Sequence, residues 1–227
     1  MTKSNTQIVP TSDGSSTIYS KRFNSHYHSV NGAVEESVHV FISAGLEYCI
    51  SKGIRPIHIL EIGFGSGLNA ILSLIKANKS QISIEYTGYE KYPLEIERAQ
   101  KLDYLKYLHR ESLNAKFTQM HELSWGIPFL LTPQFLFKKI KQAFEDINEF
   151  EAYDLIYFDA FAPNIQDHLW EEEFLKRMYD ALKPQGVLVS YCAKGNFKRA
   201  LKTVGFSIQA LNGPAGKREM TRAVKSI

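Results

Sequence analysis

Ten consecutive residues, Leu60-Glu61-Ile62-Gly63-Phe64-Gly65-Ser66-Gly67-Leu68-Asn69, constrain the fold of this chain more than any other stretch. An apolar segment from Pro56 to Ile62 carries an acid near its end. Three glycines at alternate positions follow, and then a helical pattern from Leu68 to Ala77. Strand, glycine turn and helix is how an α/β fold brings backbone close to a nucleoside. Glycine accepts positive φ and leaves no Cβ in the ligand's way. The helix N-terminus adds free N–H groups and a partial positive charge. The spacing is G-x-G-x-G and no Gly-Lys-Ser/Thr follows, which excludes a P-loop and disfavours a dinucleotide fold.

At 227 residues and 44% apolar content, the chain suits one core domain with an appendage. Cys49 and Cys192 stand far apart with no ligand spacing, so neither a disulfide framework nor a structural metal site is expected. The stretch from Met1 to Ser16 is polar and lacks the apolar run of a signal peptide. No run of 18 apolar residues occurs, so no membrane span is expected and the cytoplasm is the expected compartment. Charge is unevenly placed. From Cys192 onward, eight basic residues (Lys194, Lys198, Arg199, Lys202, Lys217, Arg218, Arg222, Lys225) face only Glu219, while the rest of the chain is net −4. Such asymmetry suits a polyanion partner, although charge alone equally describes ordinary solvated helix and strand faces.

Hydrophobic period and turn chemistry divide the chain. A hairpin is expected over Gln7 to Lys21, turning at Ser12-Asp13-Gly14-Ser15, and a helix from Ala33 to Ser51. Core strands are expected at Ile57–Ile62, at Ile82–Tyr89 ending in Glu90, at Phe135–Gln142, at Tyr153–Phe158 ending in Asp159, and at Gly186–Tyr191. Helices are expected at Leu94–Leu108 after Pro93, at Leu169–Leu182 before Lys183-Pro184-Gln185-Gly186, and at Asn196–Val204. Phe206–Leu211 and Met220–Val224 read as a closing hairpin. Residues 109–134, with no clear period, read as an insertion before the third core strand. The sum is a doubly wound, mostly parallel sheet with an N-terminal extension over 1–52 and a core domain over 53–227.

Three acids fall on one rim of that sheet. Glu61 closes the first core strand with the glycine turn, Glu90 the second and Asp159 the fourth. A carboxylate offers acceptor oxygens and no donor, so Glu90 suits the vicinal diol of a ribose. Asp159 is a lone acid in the apolar run Leu155-Ile156-Tyr157-Phe158-Asp159-Ala160-Phe161-Ala162-Pro163. Burying an unpartnered carboxylate is costly, which marks it for chemistry.

The acid-x-G-x-G-x-G run resembles the first motif of class I S-adenosylmethionine (SAM)-dependent methyltransferases. Leu60 to Asn69, Phe158 to Asn164 and Gly213-Pro214-Ala215-Gly216-Lys217-Arg218-Glu219-Met220 together resemble the methyltransferase domain of the MnmC-like family. Further matching pieces are Glu35-Glu36-Ser37, Tyr89-Glu90-Lys91-Tyr92-Pro93 and Tyr191-Cys192-Ala193-Lys194-Gly195. The resemblance implies a seven-stranded class I sheet and methyl transfer from SAM to the amine of 5-aminomethyl-uridine, often 2-thiolated, at a tRNA wobble position. It implies cofactor contacts at Glu61, Gly63, Phe64, Gly65, Gly67, Asn69, Glu90 and Lys91, with Gln142, Glu145 or Asp146 meeting the adenine. Asp159 would be the base, or the acceptor that orients the amine. Phe161, Pro163 and Tyr191 are candidates beside the base; Lys194, Lys198, Arg199, Lys217 and Arg218 are candidates for phosphates. Tyr27-His28-Ser29 and Glu36 belong to the segment that folds over the cofactor side in this family. With no flavin-type glycine motif, FAD and metal are not expected, and a separate FAD-dependent oxidase is a further expected partner. Two other functions fit the residues: an N-methyltransferase for a small-molecule amine, and a non-catalytic SAM- or tRNA-binding partner of such an oxidase.

Overall fold

The computed structural model describes residues 5–226; the readings at Met1 to Ser4 and at Ile227 lie outside them. An N-terminal antiparallel sheet joins β1 (Thr6–Pro10), β2 (Ser16–Ser20) and β3 (Ser25–His26). Its turn is fixed by Asp13, whose Oδ1 accepts from the Ser15 N–H at 3.0 Å and from the Ser15 hydroxyl at 2.7 Å. This is the hairpin expected from the Ser-Asp-Gly-Ser cluster.

A helical run over 33–51 (α1) follows, α-helical at Ala33–Ser37, π-helical over Val38–Leu46 and α-helical again at Glu47–Ser51. The helix lies close on the sheet at Gly45. A Cβ there would meet Val189 at 3.0 Å and Leu155 at 3.2 Å, so any larger residue would press on those side chains.

The main sheet has eight strands in the order β10-β11-β9-β8-β4-β5-β7-β6. These are β4 (Ile57–Ile62), β5 (Ile84–Glu90), β6 (Phe129–Thr132), β7 (Phe135–Lys141), β8 (Tyr153–Phe158), β9 (Leu182–Ser190), β10 (Phe206–Asn212) and β11 (Glu219–Lys225). Strands β9, β8, β4, β5 and β7 run parallel, and β11 pairs antiparallel with both β9 and β10. Seven strands form the expected class I arrangement. The eighth, β6, comes from the segment without clear period and pairs antiparallel with β7 at the edge.

Side-chain alternation separates two cores. Leu155 and Tyr157 of β8, with Val187 and Val189 of β9, face α1 and α2 (Leu68–Ser80). Ile156 and Phe158, with Leu188, face the opposite layer, where Phe174, Leu175, Met178, Phe197 and Leu201 are buried. Every residue of β8 is buried, as a central strand covered on both faces requires.

Two boundaries differ from expectation. The helix expected at Leu94–Leu108 is broken into α3 (Ile96–Ala99) and α4 (Tyr104–Tyr107). Asp103, between them, accepts a 2.7 Å hydrogen bond from Ser16, so a tie to the N-terminal sheet displaces a continuous helix. The helix expected at Leu169–Leu182 is a 3₁₀ turn at Asp167–Trp170 followed by an α-helix at Glu172–Ala181. Lys183-Pro184-Gln185-Gly186 opens β9 instead of a loop. Gln185 has φ 63 there, and the pairing with β8 slips between Tyr153 and Leu155. Two further helices are Asn114–Glu122 and Gly195–Thr203. No helix among the described residues is long and apolar enough to cross a membrane.

Candidate active site

The C-terminal ends of β4, β5 and β8 converge on a cavity that opens to solvent. The glycine turn forms its floor. Gly63 has φ 95, and a Cβ there would stand 3.0 Å from the Asp159 carbonyl. Gly65 has φ 49, and a Cβ there would press on the Tyr27 ring at 3.1 Å. The turn is held to β5 by the Gly63 and Phe64 N–H groups, both donating to the Tyr89 carbonyl. The strand-end acids therefore face backbone that no other residue type would allow so near.

Asn69, in the first turn of α2, ties two of those acids together. Its Nδ2 donates to Glu61 Oε1 at 2.9 Å and to Asp159 Oδ2 at 2.8 Å. Asn69 Oδ1 is buried and has no partner among the described residues, while the buried Tyr86 hydroxyl faces the Glu61 carboxyl as a donor. Burial holds the Glu61 carboxyl well above the usual carboxylate range, and the nearby Asp159 adds to the shift. Glu61 and Asn69 both line the cavity wall, where Asn69 keeps an acceptor free for a ligand donor. Glu90 is placed otherwise. Its Oε2 accepts from the Gly65 N–H at 2.9 Å and its Oε1 from the Tyr92 N–H at 2.7 Å, each oxygen keeping acceptor capacity. Burial still raises its pKa.

Asp159 has a side chain only 7% exposed. Burial pushes its pKa up to about 7, the Asn69 hydrogen bond opposes this, Glu36 adds to it and Lys217 offsets it. His28, roofing the cavity from the N-terminal segment, sets Nδ1 3.9 Å from Asp159 Oδ2 and Nε2 3.0 Å from the Ser66 hydroxyl. Burial lowers its pKa to about 4, so at neutral pH the ring is uncharged and forms no ion pair with Asp159.

The mouth is aromatic. Phe161 packs between Phe23, at 4.4 Å, and Tyr27, at 5.4 Å between ring centroids. Phe23 also meets Tyr92, over which the Arg22 guanidinium lies at 4.3 Å. The Phe161 backbone is fixed by its N–H on Gln166 at 3.0 Å and by the Trp170 indole N–H on its carbonyl at 2.9 Å.

Of the candidates named from sequence, Glu61, Gly63, Phe64, Gly65, Asn69, Glu90, Lys91, Asp159 and Phe161 all line this cavity. Gly67 stands just behind as the left-handed residue before α2. Gln142 does not line it: its Nε2 donates to the Asp146 carbonyl at 2.9 Å. Glu145 turns to Lys91 and His168. The neighbour that does line the cavity is the apolar Phe144. Pro163 lies outside it, in the turn closed by the Ile165 N–H on the Ala162 carbonyl.

The basic candidates divide. Lys194, Arg199 and Arg218 are exposed and carry no salt bridge among the described residues. Lys198 is paired with Glu219 at 2.7 Å, and Lys217 with Glu36, so neither extends freely toward solvent. Phe23, Tyr27, His28, Ser66, Tyr92, Phe144 and Gln166 join the cavity without having been assigned to the site from the strand–turn–helix pattern. The run Tyr27-His28-Ser29 was the available signal for the roof.

Comparison with known proteins follows the same line. A family model described as S-adenosyl-L-methionine-dependent methyltransferase matches residues 99–226. The tRNA 5-methylaminomethyl-2-thiouridine biosynthesis bifunctional protein MnmC of Cupriavidus necator is 29% identical over 222 residues, covering 90% of this chain and 32% of that protein. The chain thus spans about a third of the length of this curated relative. The fold is shared with MnmC2 from Aquifex aeolicus, at TM-score 0.77 and 24% identity over 98% of this chain and 71% of that one. It is shared more distantly with spermidine synthase from Thermotoga maritima, at TM-score 0.59 and 19% identity over 98% and 69%. The glycine floor, the Glu61–Asn69 pair with its free amide oxygen and the strand-end Glu90 fit a ligand that carries both an ammonium and a ribose diol, as SAM does. The chain belongs to the S-adenosyl-L-methionine-dependent methyltransferases and is an MnmC-like domain of that family.

Proposed function

We propose that this protein methylates the amine of 5-aminomethyl-uridine, 2-thiolated or not, at the wobble position of tRNA. The observation that carries the reading is a buried carboxylate, Asp159, held beside the glycine turn with a pKa of about 7. An alkyl amine is mostly protonated at neutral pH and has no lone pair to offer. A neighbouring carboxylate at an ordinary 3.8 is too weak a base to take that proton; one near 7 is much better matched.

SAM, when bound, supplies a methyl group already activated on a sulfonium. The chain's own part is positional and protic. Glu61 and Asn69 would take the ammonium of the methionyl end, Glu90 the ribose diol, and Phe144 and Tyr92 apolar surface of the base. Asn69 orients Asp159 through Nδ2. Asp159 would receive one ammonium proton, and the freed nitrogen lone pair would form the new N–C bond as the methyl–sulfur bond breaks, releasing a neutral thioether and the methylated amine as a cation. Neutral His28 and the aromatic mouth keep water from that nitrogen. Holding the nitrogen in line supplies much of the rate gain.

The tRNA-modifying activity for which the MnmC relative is named supports the tRNA substrate, and the exposed Lys194, Arg199 and Arg218 offer phosphate contacts. A separate FAD-dependent oxidase that supplies the amine belongs to the same reading. The cytoplasm, where tRNA is modified, is the compartment it entails. The test is mass spectrometry of tRNA nucleosides after incubating protein, SAM and tRNA bearing the unmethylated amine. A gain of one methyl on the aminomethyl-uridine is expected; an unchanged nucleoside in the presence of bound SAM would overturn the assignment.

A further inference from the structure

The ammonium of Lys217 is held in a setting made for a cation. It is ion-paired with Glu36, whose side chain is only 8% exposed, and it lies 4.2 Å from the centroid of the Tyr191 ring. Glu36 is fixed from the other side, its Oε1 accepting from the Ser29 N–H at 3.1 Å. The Tyr191 ring is fixed by its hydroxyl, which donates to the Ala160 carbonyl at 2.9 Å. A buried carboxylate and an aromatic face, both locked by other contacts, are the two elements that select an organic ammonium. They stand behind the cavity wall, tied to it through Ala160, and Glu36 and Lys217 are charges felt by Asp159.

Lys217 is the more exposed member of the pair. It sits on the loop between β10 and β11, reaches Glu36 across 181 residues of sequence and keeps a side chain 34% exposed.

We infer that Glu36 and Tyr191 form the subsite that receives the substrate's ammonium, and that Lys217 occupies it as an internal stand-in until the substrate displaces it. The inference rests on the amine-methylating reading above. The displaced Lys217 then points outward beside Arg218, where it is free to meet a phosphate of the same substrate. A neutral side chain gains nothing from this exchange, so the subsite selects the unmethylated amine over a hydroxyl analogue. From the subsite the ammonium passes its proton to Asp159. The site thus keeps the acceptor charged for recognition and uncharged for attack.

The experiment measures, by calorimetry on the full chain loaded with S-adenosylhomocysteine, the affinities of 5-aminomethyluridine and of neutral 5-hydroxymethyluridine. Lys217→Met, which keeps the stem and removes the charge, is expected to tighten the amine by about tenfold and to leave the hydroxyl compound within about twofold. Glu36→Gln is expected to abolish the preference for the amine. Should that variant fail to fold, Tyr191→Leu serves in its place, with a several-fold loss confined to the amine. An unchanged or weakened amine affinity in Lys217→Met overturns the inference. So does a Lys217→Met effect seen only as weaker, less salt-sensitive tRNA binding. Methylation of amine-bearing tRNA by the wild-type chain is scored separately. Methylation without the charge preference removes the subsite alone, and the preference without methylation removes the tRNA reading alone.

Discussion

Asp159 shows how one side chain acquires a task from its surroundings. An aspartate near 3.8 is no base for an amine, and burial is what moves it to about 7. Asp159→Asn is expected to lower turnover by about 10²–10⁴-fold while leaving SAM affinity nearly unchanged, read by a methyl-transfer assay and calorimetry. In the wild type, kcat/KM is expected to rise with pH through about 7, since the carboxylate must be ionised. Stability runs the other way. The folded pKa lies above the unfolded one, so the folded state binds the extra proton between about 4 and 7. The contribution of this group is full below about 4 and is lost as pH rises through 7. Asp159→Asn is therefore expected to melt higher than wild type at pH 8, with the gap closing in acid, as thermal denaturation across pH would show.

At the scale of elements, the glycine turn and the N-terminal segment form one device. The turn needs positive φ at Gly63 and Gly65, and the roof then comes so near that Tyr27 touches the space above Gly65. Gly65→Val strains the backbone and collides with that ring, a loss of about 1–3 kcal/mol for the conformation alone. It is expected to abolish SAM binding in calorimetry. Phe161 links the β8 end to the roof through Phe23 and Tyr27. Phe161→Ala removes two aromatic contacts worth about 0.5–1.5 kcal/mol each. Faster amide exchange confined to residues 22–28 is the expected signature, with a raised KM for SAM. The turn and the strand-end acids were legible because glycine spacing and an acid closing an apolar run are local patterns. The roof was legible only as the short run Tyr27-His28-Ser29. The broken helix between α3 and α4 was not legible, because Ser16, which breaks it, lies 87 residues away.

For the whole molecule, the basic C-terminal part is not a uniform phosphate surface. Pairing removes Lys198 and, in the substrate-free state, Lys217 from it, and leaves Lys194, Arg199 and Arg218 exposed. Three phosphate contacts imply a slope of log affinity against log salt of about −2 to −3. Charge reversal at Lys194, Arg199 and Arg218 together is expected to flatten that slope in filter-binding titrations, with SAM affinity unaffected. The excess of basic residues was visible in the sequence. Their division into paired and unpaired sets was not, because pairing depends on which acids the fold carries to them.

The strand–turn–helix floor, the mostly parallel character of the core and the three acids on its rim follow from the sequence alone. Alternation, glycine and proline act within a few residues, so their consequences can be read in place. Only the tertiary structure decided that Asn69 joins two of those acids, that Phe144 and not Gln142 lines the cavity, and that Lys217 rests on Glu36. Each of those contacts depends on burial and on strands meeting at one edge, and their geometry exists only once distant segments have packed.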